Sequence, residues 1–344
     1  MAAGLFYYTP YPIFFQCFKA HSKLQSNCLA MKSHLLAVCC LFLFAFQPAD
    51  LPKWKYARQG HVKVKGGKVW YGVMGKGDQT PVMCLHGGPG GTGYGFLYLY
   101  EIAKDRPVIM FDQLGGGRST IHEDTSLLKV DNFVEQVEAV RKELKLDELY
   151  VLGHSWGTAL ALEYYDKYPD AVKALVFNSP YFSTPIWTAD ADTLIAGLPK
   201  DIQTDIRQAE ADSLFTTPEY EAANTYFLSQ HGRRNERQAL PFEVERPQGS
   251  SFIYNFMWGP SEFTATGTLR DYDNHQSLKN IKVPALFTTG EFDEARPSTI
   301  ERLSQLTPDS RFVMIPGAGH STMNDNLPAL VEAVDTFLEE QDTK

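Results

Sequence analysis

The residues best placed to do chemistry lie in LYVLGHSWGTALALEYY, where a β-rich run meets Gly153-His154-Ser155-Trp156-Gly157 and passes straight into a helical stretch from Thr158. A serine with glycine two positions to either side, between strand and helix, is the pattern of a nucleophile elbow. Small residues at 153 and 157 let a strained turn fit, and the helix N-terminus favours negative charge developing nearby. A free serine hydroxyl is a weak nucleophile, so a base and an orienting acid are expected downstream, in the order Ser, Asp, His.

Two later segments meet that requirement. VPALFTTGEFDEARP holds a strand, a turn and Asp293, and RFVMIPGAGHSTM holds a second strand, a glycine-rich turn and His320. The competitors fit less well: Asp273 belongs to a loop bordering an insertion, Asp325 follows the histidine, Asp309 faces solvent, and His154 reads as a packing or polar-shell residue of the elbow. Upstream, VMCLHGGPGGTG puts His86-Gly87-Gly88-Pro89-Gly90 directly after a strand. It lacks the terminal Gly-Lys-Ser/Thr of a phosphate loop and is not followed by a dinucleotide-binding helix pattern. It reads instead as an oxyanion loop, with the backbone N–H of Trp156 and that of Gly87 or, preferably, Gly88 as donors. No metal or cofactor is called for, and Cys84, inside the apolar run VMCL, reads as a small buried hydrophobe.

These loops need a scaffold. Short apolar runs at 82–85, 108–111, 149–152, 174–177, 285–288 and 312–315 have strand length and read as core segments. Phe133, Val137, Val140 and Leu144 recur at helical spacing, as do Leu327, Leu330, Val331, Val334 and Leu338. Strands alternating with helices imply an α/β fold with a mostly parallel sheet, and alternation over His61–Tyr71 adds an antiparallel hairpin at an edge. Between about Pro180 and His275 the alternation stops, and helical patterns with aromatic clusters and the polar run HGRRNERQ suggest an inserted helical domain; a structureless connection of that length would be exceptional. The expected division is a leader at 1–49, a first core part at 50–179, a helical cap at 180–275 and a second core part at 276–344.

The chain has 344 residues, 44% of them hydrophobic, and a formal net charge of −9. That is enough for one large core, and the acidic balance argues against a broad nucleic-acid face. Residues 1–49 stand apart: they hold no acidic residue and four of the five cysteines, Cys17, Cys28, Cys39 and Cys40. LLAVCCLFLFAF at 35–46 has the length of a signal-peptide apolar region and is short for a span. Read from Met31, the segment has the layout of a secretory signal cut near Ala45 or Ala49, which weakly favours secretion; a retained membrane-associating or disordered leader, and a misplaced start with a cytoplasmic product, are the other readings.

HGGPGG at 86–91, DQLGGGRS at 112–119, GHSWGTALALEYYDKYP at 153–169 and GAGH at 317–320 together resemble the proline iminopeptidase group of α/β-hydrolases, from about residue 55 to the C-terminus. The resemblance implies an α/β-hydrolase fold with a helical cap and a serine aminopeptidase that releases an N-terminal residue, often proline, from short peptides. Within the group, YNFMWGPSEFTATGTLRDYDN at 254–274 and GEFDE at 290–294 are similar to the tricorn-interacting aminopeptidase branch, whose two amine-binding glutamates match Glu262 and Glu294. By residue type alone these two would be a solvated cap residue and a loop carboxylate. Asp112 and Arg118 read as scaffold, Gln113 as scaffold or substrate contact, and Tyr254, Phe256 and Trp258 as walls of a proline slot or of a broader apolar pocket. The expected partners are short peptides or amino-acid amides with a free N-terminus, without nucleic acid or metal. An amino-acid amidase or carboxylesterase with the same triad, and a non-catalytic ligand receptor on a hydrolase scaffold, are the rival readings.

Overall fold

Six apolar runs of the sequence become the parallel part of one eight-stranded sheet in the computed structural model, which describes residues 51–344. The expectation of a leader at 1–49 lies outside the described residues. The strands are β1 (Arg58–Val64), β2 (Gly67–Met74), β3 (Val82–Leu85), β4 (Val108–Asp112), β5 (Leu149–His154), β6 (Val172–Asn178), β7 (Ala285–Gly290) and β8 (Ser310–Ile315), in the spatial order β1-β2-β4-β3-β5-β6-β7-β8. The β1–β2 hairpin is antiparallel and closes one edge, as expected, with β2 also antiparallel to β4; every other pairing is parallel.

The two-residue alternation of strand side chains divides the core between the two faces of the sheet. Met83, Leu85, Ile109, Phe111 and Val151 pack with Phe133, Val137 and Val140 of helix α1 (Val130–Leu144), with Ala159 to Leu162 of α2 (Trp156–Lys167), and beyond them with a later helix at 297–304. Val82, Cys84, Met110, Tyr150, Leu152 and Val176 face the other way, against Phe96 to Ala103 of a 3-10 stretch (Gly93–Lys104) and Leu330, Val334, Phe337 and Leu338 of the C-terminal helix. Cys84 is fully buried, and desolvation pushes its thiol up. The run at 312–315 departs from its reading as a core segment: β8 is the outer strand, and of its six residues only Ile315 is buried.

Between β6 and β7 the chain leaves the sheet and forms α3 (Thr184–Ala196), α4 (Lys200–Asp212), α5 (Pro218–Phe227) and α6 (Ser251–Met257). Three of the four start on a hydroxyl that caps a free backbone N–H: Ser183 accepts from Ile186, Thr217 from Tyr220 and Ser250 from Ile253. Ala191, Ile195, Ile206, Ala209, Tyr220, Ala223, Phe227 and Phe263 form an apolar cluster separate from the two at the sheet, so α3, α4 and α5 pack on one another, while Ile253 and Met257 of α6 join the core on one face of the sheet. After β7 come α7 (Pro297–Ser304) and, behind a single turn at Thr322–Asp325, α8 (Leu327–Asp342). No helix among the described residues is long and apolar enough to cross a membrane.

Candidate active site

The C-terminal end of β5, in the middle of the sheet, delivers Ser155 with φ 55° and ψ −128°. A non-glycine residue held at positive φ is strained and persists only where its surroundings over-determine it. Here the Ser155 N–H donates to the Asn178 carbonyl (3.1 Å), and Thr158 donates its N–H (2.8 Å) and hydroxyl (2.7 Å) to the Ser155 carbonyl. Glycine at 157 is obligatory in this packing, since a Cβ there would stand 1.9 Å from the Leu85 carbonyl oxygen.

The loop at 86–91 comes so close to the elbow that a Cβ on Gly87 would lie 2.9 Å from Ser155 Cβ. One side chain sets it. The Gln113 N–H donates to His86 Nε2 (3.0 Å), which leaves the Nδ1 proton to donate to the Gly87 carbonyl (2.9 Å); burial pulls the His86 pKa down and keeps the ring neutral. The Gln113 amide donates to the His86 carbonyl (3.1 Å) and accepts from the Trp156 indole (3.1 Å), so it ties loop to elbow. Gln113 is buried and acts as a strut. Behind it, Asp112 accepts from the Gly93 N–H (2.8 Å), the Arg118 N–H (2.9 Å) and the Arg118 guanidinium (2.7 and 3.1 Å). The guanidinium lies 3.2 Å from the centroid of the Trp70 ring, so both residues are scaffold.

His320 reaches the site on the turn after β8, and its Nδ1 donates to Asp293 Oδ1 at 2.8 Å. Asp293 is saturated: Oδ1 also accepts from the Ala295 N–H (2.9 Å), and Oδ2 accepts from the Thr289 hydroxyl (2.9 Å) and the Gly290 N–H (3.1 Å). Burial raises the Asp293 pKa, but His320 and these donors outweigh it and hold the carboxyl below its ordinary range.

Glu294 is buried beside this pair, with Oε1 3.8 Å from His320 Nδ1 and Oε2 without a hydrogen-bond partner. Glu262, on the loop after α6, lines a cavity together with Ser155, Trp156, Gly88, Tyr181, Trp187 and Trp258, and the Tyr254 hydroxyl lies near enough to its carboxylate to counter part of the effect of burial. Burial raises both glutamate pKa values, and for Glu294 the Glu262 charge adds to the effect. Burial also disfavours the His320 imidazolium, yet Asp293, Glu294 and Glu262 together raise its pKa to about 9. His154, 5.1 Å from the His320 ring centre to centre, is lowered to about 3 by burial first and by His320 second. It accepts a hydrogen bond from Asn178 Nδ2 (3.1 Å) and belongs to the polar shell.

The sequence left several contributors unnoticed. Asn178 Oδ1 accepts from both Thr288 and Thr322 at 2.9 Å, joining the end of β6 to β7 and to the turn after His320. Trp187 stands edge-on to His320, 5.6 Å between ring centres, and donates its indole N–H to the Glu262 carbonyl (2.8 Å). Asp325, set aside as an acid, accepts from the backbone of Gly319, Arg234 and Asn235. Asn178 is a polar residue closing an apolar strand, a signal that could have been read. Of the three aromatics expected as pocket walls, Trp258 lines the cavity, Tyr254 contacts Glu262, and Phe256 stacks on Phe252. Among the described residues no group of three or more His, Cys, Asp or Glu is arranged to hold a metal ion.

A profile of the α/β-hydrolase fold matches residues 80–327, and the chain belongs to that family. It is 41% identical to a proline iminopeptidase of Heyndrickxia coagulans over 81% of this chain and 98% of the relative, and 32% identical to one of Lactobacillus helveticus over 83% and 98%. Among solved structures, the proline iminopeptidase of Mycobacterium smegmatis superposes with a TM-score of 0.74 at 28% identity, covering 83% of this chain and 99% of the other. Within the α/β-hydrolases the chain is a member of the proline iminopeptidase group.

Proposed function

We propose that this protein is a serine aminopeptidase that releases an N-terminal amino acid, proline above all, from short peptides. His320, oriented by Asp293, takes the Ser155 proton as the hydroxyl attacks the first peptide carbonyl, while the N–H groups of Trp156 and Gly88 hold the oxyanion. The imidazolium then protonates the leaving amine, and neutral His320 activates the water that hydrolyses the acyl-enzyme. Glu262 and Glu294 grip the substrate α-ammonium, and the segment at 180–275 caps the cavity and limits what enters.

The observation that carries this reading is the Glu294 carboxylate, buried with one oxygen unpaired and close enough to Glu262 for that charge to raise its pKa. A buried acceptor without a donor is costly, and two neighbouring carboxylates repel until a cation arrives. An ammonium supplies both the donors and the charge. The cavity is walled by Tyr181, Trp187, Trp258 and Pro89, a rigid, largely aromatic lining that favours a compact apolar ring over a long side chain. An esterase would have no use for the paired carboxylates.

The test compares prolyl arylamide with its N-acetylated form. Turnover of the free amine should exceed that of the blocked compound by roughly a thousandfold, the scale of losing charge-assisted hydrogen bonds in a desolvated site, and Ser155→Ala should lower it by about 10⁴ or more. Equal turnover of the two compounds would sink amine recognition.

A further inference from the structure

Against the loop at 86–91 lies a second, larger and open space, lined among others by Gly87, Gly88, His154 and Ser321. Gly88 is common to the two cavities; His154 immediately precedes Ser155, and Ser321 immediately follows His320. A peptide whose amine sits at Glu262 and Glu294 and whose first carbonyl is at Ser155 can send its leaving group past Gly88 into this second space. Its charge is opposite to that of the amine side. Arg233, Arg237 and Arg246 all line it, and among the described residues none of the three forms an ion pair. The three arginines are solvent-exposed, and with no carboxylate among the residues lining the cavity they present a positive face to an anion. Partial desolvation, then the Arg246 and Arg233 charges, lowers the Arg237 pKa.

The arginines are carried on backbone fastened to the catalytic turns. The N–H groups of His320 and Ser321 donate to the carbonyls of His231 (2.8 Å) and Gly232 (2.9 Å), so Arg233 starts one residue from a direct link to the histidine turn. Asp325 accepts from the Arg234 and Asn235 N–H groups, Asn324 Oδ1 from the Gln238 N–H (3.0 Å), and the Tyr98 hydroxyl donates to the Gln238 carbonyl (2.7 Å), which brackets Arg237. Arg246 lies 5.6 Å from the Tyr94 ring centre, on a segment held to the oxyanion loop where the Ser250 N–H donates to the Gly90 carbonyl (2.7 Å). Anchored backbone lowers the ordering cost of gathering the three side chains on an anion.

We propose that this cavity is the leaving-group subsite and that Arg233, Arg237 and Arg246 bind the free α-carboxylate of a di- or tripeptide, so that the enzyme reads both ends of its substrate. The proposal rests on the aminopeptidase reading and adds to it a preference for short peptides with an unblocked C-terminus.

The experiment measures kcat/KM for Pro-Ala, Pro-Ala-amide, Pro-Ala-Ala and its amide, with prolyl arylamide, which has no carboxylate, as a separate check on the wild type. The free acids should be preferred over their amides by about tenfold or more, mainly through KM, and the preference should shrink as salt is raised. Arg237→Gln/Arg246→Gln should collapse the acid-to-amide ratio towards one, Arg237→Lys/Arg246→Lys should retain part of it, and the exposed control Arg270→Gln should leave it intact. Equal turnover of acid and amide by the wild type, or a preference that survives the double glutamine variant, overturns the subsite while arylamide turnover still upholds the aminopeptidase. A wild type inert on arylamide and peptides alike removes the aminopeptidase reading, and the subsite with it.

Discussion

At His320 two demands conflict. As the proposed general base it must be neutral to accept the Ser155 proton, yet Asp293, Glu294 and Glu262 favour the imidazolium and raise the ring to about 9. An ammonium bound between the glutamates would cancel much of their field, so the substrate itself would bring the histidine back towards the pH at which it works. This gives a prediction with a sign. With a small neutral ester such as p-nitrophenyl acetate, which brings no ammonium, the acid limb of kcat/KM should lie well to the alkaline side of an ordinary histidine. Glu294→Gln removes a carboxylate 3.8 Å from Nδ1 and should move that limb to lower pH. An unmoved limb would mean that Glu294 does not govern the ionisation of the base. The two glutamates are singled out only through the family likeness, because a carboxylate in a loop has no local pattern that says it is buried. Ser155, Asp293 and His320, the proposed triad, are singled out from their positions after strands, and the structure places each on a turn at a strand end.

Among the elements, legibility followed burial. β3 to β7 are covered on both faces and read as continuous apolar runs, so their positions were visible, whereas β8 is an outer strand with intermittent burial. The 3-10 stretch at Gly93–Lys104 escaped notice because GYGFLYLYEIAK is nearly all apolar and shows no helical stripe; tertiary packing under the sheet decides its conformation. The helices between β6 and β7 were foreseen as helical without boundaries, because they pack on one another as well as on the sheet. The junction of β5 and α2 is the least tolerant place in the fold. Gly157→Ala would drive a methyl group to 1.9 Å from the Leu85 carbonyl, and backbone on both sides leaves no flexible side chain to yield. We expect a loss of at least about 3 kcal/mol of stability, at the upper end of single-residue effects, read as a lowered midpoint in urea unfolding or as failure to accumulate soluble protein. A midpoint within error of wild type would show that elbow and oxyanion loop can separate without cost.

For the whole molecule the buried glutamates are a liability. Glu262 and Glu294 have raised pKa values in the fold, so above the ordinary carboxylate value of 4.5 the unfolded chain releases protons that the native state would retain, and stability falls as pH rises through the window between 4.5 and the folded values. His320 acts over a different window: raised from 6.5 to about 9, it contributes stability in full below 6.5 and loses it as pH climbs through 9. Both trends place maximal stability on the mildly acidic side. Replacing Glu294 by glutamine removes an unfavourably buried charge and should therefore stabilise the free protein at pH 7 to 8, by on the order of 1 kcal/mol or a few degrees in Tm. The gain should vanish below about pH 4.5, where the glutamate is protonated in both states. An amine ligand such as prolinamide should raise the Tm of the wild type by ordinary binding linkage and do much less for Glu294→Gln. Thermal melts across pH with and without prolinamide decide it: a variant less stable than wild type at pH 7.5, or one stabilised equally by the ligand, would mean that Glu294 is held by the fold for packing and not kept charged for a cation.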